Sequence, residues 1–140
     1  MIKKRIMKKI DKAFVVDDDP IFVFGIKRAI EIVGFCKNLM VFGNGQEALD
    51  TVKSIIRSNE KLPDVILLDL NMPVMDGWEF VEEFVKIPCK KEVLIYIVSS
   101  SIDPEDMKRA KSLESVSGYI VKPISLDSLK DILEQFQKAG

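Results

Sequence analysis

The amino-acid sequence predicts an α/β domain in which a five-stranded parallel sheet carries helices on both faces. Short apolar runs alternate five times with longer amphipathic stretches, an order typical of a parallel sheet. Two of these runs are apolar throughout, as expected where helices cover both faces of a strand. With 140 residues, 47% of them hydrophobic, the chain suffices for one core, and no repeat or low-complexity tract indicates a second domain.

The first two βα units are predicted from their caps and apolar spacing. AFVV at 13–16 is the first strand, and a helix running to about residue 33 starts at Pro20. Proline suits the first turn because the N–H that it lacks would have no partner there, and Asp19 is placed to cap this helix. NLMVF at 38–42 is the second strand, and Asn44 is placed to cap the second helix. One face of that helix carries Ala48, Leu49, Val52 and Ile55.

The third unit begins after a loop at 59–63. Its strand is DVILLDL at 64–70, and the turn-rich NMPVMDG leads into a short helix at about 78–85. VLIYIV at 93–98 is the fourth strand. Both strands are predicted to lie at the centre of the sheet, because they carry apolar residues on both faces.

The last helices also have recognisable starts. Asp103 and Pro104 fit the cap and first residue of the fourth helix. GYIV at 118–121 is the fifth strand, and SLDSLKDILEQF is the final amphipathic helix, with Ser125 as its cap. The apolar residues predicted for the fourth helix are Met107, Ala110 and Leu113.

Polar side chains follow four of the five predicted strands. In an open parallel sheet, ligands bind at the carboxyl ends of the strands, near the point where the strand order reverses. Each feature alone has a plainer explanation, since acidic triplets cap helices and a lysine before proline is usually a surface residue. Their joint placement favours one shared site. The residues are Asp17 and Asp18 after strand one, Asp69 after strand three, Ser99 and Ser100 after strand four, and Lys122 with Pro123 after strand five.

The residue types at these strand ends suit phosphoryl transfer. Carboxylates that converge on one crevice repel each other, and a hard cation such as Mg²⁺, which prefers oxygen ligands, relieves that repulsion. A carboxylate can attack phosphorus to give an aspartyl phosphate, and Asp69 needs no base because it is ionised at neutral pH. A lysine ammonium and a serine hydroxyl can then hold the phosphoryl oxygens.

Composition excludes several other functions. The chain has no histidine, which removes His-dependent triads and most zinc sites, and its net charge of -1 gives no reason to expect direct nucleic-acid binding. No apolar run approaches the roughly 20 residues that span a bilayer, so no membrane insertion is expected. Cys36 and Cys89 have no metal-ligand spacing, and a cytoplasmic protein with reduced thiols is predicted. The basic residues 1–11 are predicted to be a solvated tail, or else a weak contact for an anion or a partner.

At this point the chain resembles the receiver domain of two-component response regulators, over residues of about 12 to 138. VVDDDP, VILLDLNMPVMDGWEF, IVSSS and GYIVKP occur in the family's order, and the lysine of KP follows Asp69 by 53 residues. The resemblance implies the flavodoxin-like (βα)5 fold, a doubly wound parallel sheet with strand order 2-1-3-4-5. It assigns 12–140 to the receiver domain.

The resemblance also implies a metal site. Asp69 matches the phosphoacceptor, and Asp17 and Asp18 match the family's acidic pair. Asp18 is expected to bind Mg²⁺, or Mn²⁺ in its place, directly, and Asp17 through water. Asn71 matches the position whose backbone carbonyl completes the metal site. Asp19 falls one place beyond the pair and is expected to act as the helix cap.

The remaining site residues are implied in the same way. Lys122 matches the family lysine, and Pro123 follows a bond that is often cis in these domains. The switch hydroxyl is assigned to Ser99 by alignment of the apolar strand, although Ser100 has the commoner spacing to the lysine. Tyr119 matches the aromatic residue that rotates inward when the hydroxyl moves, the alternative being an aromatic that is simply half-buried.

For partners, the resemblance implies a histidine kinase or a histidine phosphotransfer protein as phosphoryl donor. Donor docking is expected at the loop beside Asp69 and at the apolar start of the first helix, residues 21–24. The last 17 residues suffice for one helix, so a stand-alone receiver is expected, a monomer or a weak phosphorylation-dependent dimer. Its output to a protein effector would use the fourth helix, fifth strand and fifth helix.

Two other functions fit the sequence less well than an active receiver does. A pseudo-receiver would bind its partner constitutively, but every residue type required for phosphorylation is present. A phosphatase with an aspartyl-phosphate intermediate would need an acid two residues after Asp69, where the chain has Asn71. The sequence therefore predicts a signalling module that catalyses only its own phosphorylation and dephosphorylation.

Overall fold

A parallel sheet in the order β2-β1-β3-β4-β5 organises the computed structural model, which describes residues 9–89 and 91–139. The predicted strand order is confirmed. The strands are β1 (Ile10–Val16), β2 (Cys36–Phe42), β3 (Val65–Leu68), β4 (Leu94–Ser99) and β5 (Val116–Val121). The helices are α1 (Pro20–Val33), α2 (Gly45–Arg57), α3 (Gly77–Val85), α4 (Pro104–Ser112) and α5 (Leu126–Ala139). None of the described helices is both long and apolar enough to cross a membrane.

The two faces of the sheet bury separate apolar clusters. Odd and even residues of a strand point to opposite faces, so β1 sends Phe14 to the side of α2 and α3, and Val15 to the side of α1 and α5. All four residues of β3 and all six of β4 are buried. Because both faces are covered, these strands are central, as their unbroken apolar runs predict.

Strand register brings the predicted site residues to one edge of the sheet. Val16 pairs with Leu68, and Leu68 with Ile97, so β1, β3 and β4 are aligned at their carboxyl ends. Ser99 pairs with Val121 in β5. The residues that follow these strands therefore lie side by side.

The helix caps follow the sequence closely. Asp19, Asn44 and Asp103 cap α1, α2 and α4, each accepting a backbone N–H with its side chain. Ser125 Oγ accepts the amide of Ser128 at the start of α5. The cap of α3 was not predicted: Asp76 and Glu79 form a reciprocal capping box at its start.

Three strands begin earlier than predicted, and β2 starts at Cys36 because that residue pairs with Ile10. Strand β1 starts at Ile10, because this residue is buried and pairs with Cys36 in β2. Residues 10 and 11 therefore belong to the sheet and not to the predicted tail, whose residues 1–8 lie outside the described residues. Strand β5 starts at Val116, which pairs with Ile95 across an irregularity in the β4–β5 ladder that periodicity alone does not reveal.

Candidate functional site

Three carboxylates meet at the carboxyl edge of the sheet. Asp17, Asp18 and Asp69 each offer an oxygen, and these oxygens all lie within 4.8 Å of one another. The Asp69 amide donates to the Val16 carbonyl at 2.9 Å, which fixes the two acidic loops against each other. Asp17 and Asp69 are buried, whereas Asp18 is exposed. The cluster thus has a rigid inner wall and one carboxylate open to solvent.

Lys122 is the cation of this cluster. Its Nζ lies 2.8 Å from Asp17 Oδ2 and 3.7 Å from Asp69 Oδ1. The ammonium also lies 4.3 Å from the centre of the Phe22 ring, so α1 helps to hold it. Its backbone amide donates to the Ser99 carbonyl at 2.8 Å, which continues the β4–β5 pairing. Lys122 is therefore closer to Asp17 than to the predicted phosphoacceptor.

The cluster carries more negative charge than one ammonium neutralises. Burial, and next the charge of Asp17, raise the pKa of Asp69 to about 6, against the opposing effects of Lys122 and the amides of Leu70 and Asn71. Asp17 Oδ2 is buried and accepts no hydrogen bond, since its contact with Lys122 is an ion pair without hydrogen-bond geometry. Oxygen donors alone, an excess of charge and an acceptor without a donor fit a hard divalent cation. The residues present therefore fit Mg²⁺.

The two candidate switch hydroxyls differ in burial. Ser99 is the last residue of β4 and is fully buried, whereas Ser100 is exposed. Ser99 Oγ accepts the amide of Ser101 at 3.1 Å. Only Ser99 of this pair therefore combines burial with a backbone pairing to Lys122.

Tyr119 reaches the loop that follows β4. Its hydroxyl donates to the Ser101 carbonyl at 2.8 Å, and its half-buried ring packs against the core on the side of α2 and α3. The aromatic position on β5 and the hydroxyl position on β4 are thus both bonded to Ser101. Rotation of Tyr119 stays a prediction.

The loop after β3 approaches the site through its backbone. Asn71 is exposed, and the metal-binding role predicted for its carbonyl stays a prediction. Val74 has a φ of 75°, which is unusual for a β-branched residue. Gly77 donates its amide to the Leu70 carbonyl at 2.9 Å, and a Cβ at this position would collide with the backbone of Asp69 and with Leu70 Cα.

Sequence reasoning missed this role of Gly77, although the Asp-Gly pair at 76–77 is a signal for a tight turn. The Lys122–Pro123 peptide bond is cis, as the resemblance implies.

An apolar patch lies on α1 near this edge. Ile21 and Phe24 are 83% and 77% exposed, whereas Phe22 and Val23 pack partly against the core on the side of α1 and α5. The expectation that part of the apolar start of this helix remains exposed is confirmed.

Comparison with known proteins gives consistent matches. The family model of the response regulator receiver domain matches residues 13–134. The probable methanogenesis regulatory protein FilR2 of Methanothrix harundinacea is 28% identical over 124 residues, covering 89% of this chain and 79% of that protein. The probable C4-dicarboxylate response regulator DctR of Bacillus subtilis is 30% identical, covering 91% of this chain and 52% of that protein. The chain thus spans about half the length of DctR.

Solved structures with the same fold include three regulators. A two component response regulator from Cytophaga hutchinsonii superposes with a TM-score of 0.85 at 26% identity, covering 94% of this chain and 99% of that chain. The phosphorylated cyanobacterial phytochrome response regulator RcpA superposes with a TM-score of 0.73 at 28% identity, covering 92% of this chain and 92% of that chain. The chemotaxis protein CheY4 of Vibrio cholerae superposes with a TM-score of 0.73 at 26% identity, covering 91% of this chain and 98% of that chain.

Proposed function

Because the chain belongs to the response regulator receiver domain family of two-component signalling, we propose that it is a switch activated by phosphorylation of Asp69. One observation supports this most directly: the oxygens of Asp17, Asp18 and Asp69 lie within 4.8 Å of one another, and the Lys122 ammonium lies at 2.8 and 3.7 Å from two of these residues. This arrangement combines a nucleophile, ligands for a cation and a fixed positive charge.

In this proposal the acidic residues hold Mg²⁺, or Mn²⁺ in its place. Asp18 and Asp69 would bind it directly, the backbone carbonyl of Asn71 would add a third oxygen, and Asp17 would act through water. The cation would neutralise charge on the oxygens of the transferred group. The exposure of Asp18 and the burial of Asp17 agree with this division of roles.

The transfer step uses an oxygen of Asp69 as nucleophile. A new O–P bond forms to the carboxylate, the bond from phosphorus to the donor nitrogen breaks, and the donor imidazole leaves with that electron pair. These 140 residues contain no histidine, so the phosphoryl group must come from a histidine outside them, and the proposed donor is a histidine kinase or a histidine phosphotransfer protein. Lys122 and Ser99 then hold the phosphoryl oxygens. The phosphoryl group stays on Asp69 until hydrolysis of the aspartyl phosphate releases it as inorganic phosphate, so the chain acts as a signalling module that catalyses only its own phosphorylation and dephosphorylation.

Donor docking is proposed at α1 and the loop beside Asp69. The exposed side chains of Ile21 and Phe24 lie on the first turns of the helix whose Phe22 contacts Lys122. An apolar patch of this kind next to a reactive group suits a protein donor.

Output is proposed through the surface formed by α4, β5 and α5. Tyr119 belongs to this surface and is bonded to the loop that Ser99 begins, so a shift of Ser99 reaches it through one residue. A groove of about 490 Å³ runs between α4 and β5, lined by Met107, Ala110, Val116 and Tyr119. An effector protein would bind here, and a weak phosphorylation-dependent dimer would use the same face.

Two free thiols, Cys36 and Cys89, suit the proposed cytoplasmic location.

Intact mass measured after incubation with acetyl phosphate and Mg²⁺ tests the proposed function. A gain of one phosphoryl group is expected in the wild type, and none in Asp69→Asn or when EDTA replaces Mg²⁺. Asp19→Asn is the matched control, because asparagine can still cap α1 and Asp19 accepts the Ile21 amide at the helix start. Labelling of Asp69→Asn at the same site, or no labelling of the wild type where a known receiver reacts, would overturn the proposal.

A further inference from the structure

The aromatic ring of Phe22 lies against the cation of the site. Phe22 belongs to the first turn of α1 and is half-buried, and the centre of its ring lies 4.3 Å from Lys122 Nζ. An ammonium at this distance is attracted to the negative face of the ring. Lys122 is thus in contact with one uncharged group as well as with the carboxylates of Asp17 and Asp69.

This contact is shielded from water. The side chain of Lys122 is 13% exposed, and those of Asp17 and Asp69 are 2% and 7% exposed. The attraction between a cation and a ring is strongest where the cation is desolvated. A lysine carries its ammonium on a flexible four-carbon stem, so each contact around Nζ helps to keep the charge in one place.

The carboxylates and the ring should respond differently to a divalent cation. Asp17, Asp18 and Asp69 surround the proposed Mg²⁺ site, and a bound Mg²⁺ would neutralise their charge and repel the ammonium. The attraction of the carboxylates for Lys122 would therefore weaken. The Phe22 ring has no charge to be neutralised and no oxygen to bind the metal, so its attraction would remain.

We infer that Phe22 is a positioning residue that keeps the Lys122 ammonium beside Asp69 when a divalent cation occupies the site. This inference rests on the proposed function, in which Lys122 holds the phosphoryl oxygens. It gives α1 a role in the transfer step besides its exposed patch of Ile21 and Phe24. A side chain that only filled space at this position would need the shape of the ring and not its electron density.

Graded fluorination of Phe22 separates these two roles. Site-specific incorporation of mono-, di- and trifluorophenylalanine keeps the ring shape nearly unchanged and weakens its negative face stepwise. Trace acetylation with acetic anhydride, followed by peptide mass spectrometry, measures how fast the Lys122 amine is modified. In saturating Mg²⁺ this rate should rise with each fluorine and reach roughly fivefold, the factor that corresponds to about 1 kcal/mol. In EDTA the rise should be smaller, because the carboxylates then hold the ammonium.

Ordinary substitutions and a control ring complete the series. Phe22→Tyr keeps an aromatic ring and should stay near the wild-type rate, whereas Phe22→Leu removes the ring and should behave like the trifluorinated protein. Phe84 is the matched control, because its ring stacks on Phe80 in the cluster on the other face of the sheet, so its fluorination should leave Lys122 unchanged. Circular dichroism checks folding, and the fluorinated proteins decide the question if Phe22→Leu does not fold.

The rate of labelling by acetyl phosphate with Mg²⁺ connects the contact to the switch. Labelling should slow by a similar factor along the fluorination series, because Lys122 would less often be in place to hold the phosphoryl oxygens. Faster modification of Lys122 in Mg²⁺ together with slower labelling would support the inference.

The other outcomes separate the two proposals. Equal modification of Lys122 across the series in Mg²⁺, or a rise equally large in EDTA, would overturn the role of Phe22 while the proposed function stands. Unchanged labelling of proteins in which Lys122 is modified faster would overturn it as well. A wild type that takes up no phosphoryl group would overturn the proposed function, and the inference that rests on it would fall too.

Discussion

At the scale of single residues, the charge of Asp69 dominates the site. A buried carboxylate beside a second buried carboxylate is less stable than the same group in water, which is why its pKa rises to about 6. With a pKa of about 6, the residue is nevertheless mostly ionised at neutral pH, as the proposed attack on phosphorus requires. Electrostatic repulsion is thus concentrated at the proposed phosphoacceptor.

This repulsion predicts that Asp69→Asn stabilises the metal-free protein at neutral pH. The pKa of Asp69 is higher in the folded than in the unfolded chain, so its contribution to stability is present below about pH 4 and is lost as the pH rises through about 6. At pH 7.5 in EDTA, the free energy of unfolding of the variant should exceed that of the wild type by about 3 kcal/mol. Urea unfolding between pH 4 and pH 8 measures this difference, which should shrink toward acid. A constant difference across this range would contradict it.

Replacing Lys122 should lower the stability of the metal-free protein, the opposite of the effect expected for Asp69→Asn. Lys122→Ala removes the ammonium at 2.8 Å from Asp17 and leaves a buried carboxylate without a counter-charge, which costs about 3–5 kcal/mol in the metal-free protein. Mg²⁺ should still bind, because its proposed ligands remain, and it should raise the melting temperature more than in the wild type. Labelling by acetyl phosphate should be slower. Thermal melts with and without Mg²⁺ measure the effect, and loss of the Mg²⁺ response would contradict the role given to Lys122.

At the scale of secondary-structure elements, the close approach of α3 to the loop after β3 shapes the site. The Gly77 amide bonds to the Leu70 carbonyl, and this contact leaves no room for a Cβ beside Asp69. The capping box of Asp76 and Glu79 fixes the same turn. The first turn of α3 thus supports the backbone of Asp69, the proposed phosphoacceptor.

Two glycine-to-alanine substitutions should have opposite effects on stability. Gly77→Ala should destabilise the protein by about 2 kcal/mol or more and slow labelling, because its Cβ would meet Leu70 Cα at 2.9 Å. Gly25→Ala, in the interior of α1, meets nothing within 4 Å and should stabilise by about 0.5–1 kcal/mol. Urea denaturation of both variants makes the comparison. Equal stability of the two would show that the contact at Gly77 relaxes freely.

At the scale of the whole molecule, the apolar core and the charged site occupy different parts of the sheet. Its two faces hold the apolar clusters, and its carboxyl edge collects the charged residues from β1, β3 and β5. Loops from distant parts of the chain are tied together at that edge. Metal binding there should therefore stabilise the entire fold.

Mg²⁺ at 100 times its dissociation constant should add about 2.7 kcal/mol to the free energy of unfolding of the wild type. The gain should nearly vanish in Asp18→Asn, which removes an exposed proposed ligand. It should persist in Asp19→Asn, whose side chain accepts the Ile21 amide at the start of α1. Urea unfolding at several Mg²⁺ concentrations measures the gain. An equal response of the two variants would contradict the assignment of Asp18.

Much of this protein was determined by the sequence itself. The caps at Asp19, Asn44 and Asp103 and the convergence of Asp17, Asp18, Asp69 and Lys122 on one edge were predictable from the residues, whereas the strand order was implied by the resemblance to the receiver family. The reason is that apolar periodicity and capping are local properties. Once a parallel sheet is assigned, its topology decides which strand ends meet.

Tertiary structure alone decided the finer geometry. It buries Ser99 and exposes Ser100, and it pairs Lys122 with Asp17 at 2.8 Å. It also places Gly77 against Asp69, and it bonds Ser101 to residues of β4, β5 and α4. It also places the starts of β1, β2 and β5 earlier than predicted. These features depend on register and contacts between segments far apart in the chain, and no local pattern of residues carries that information.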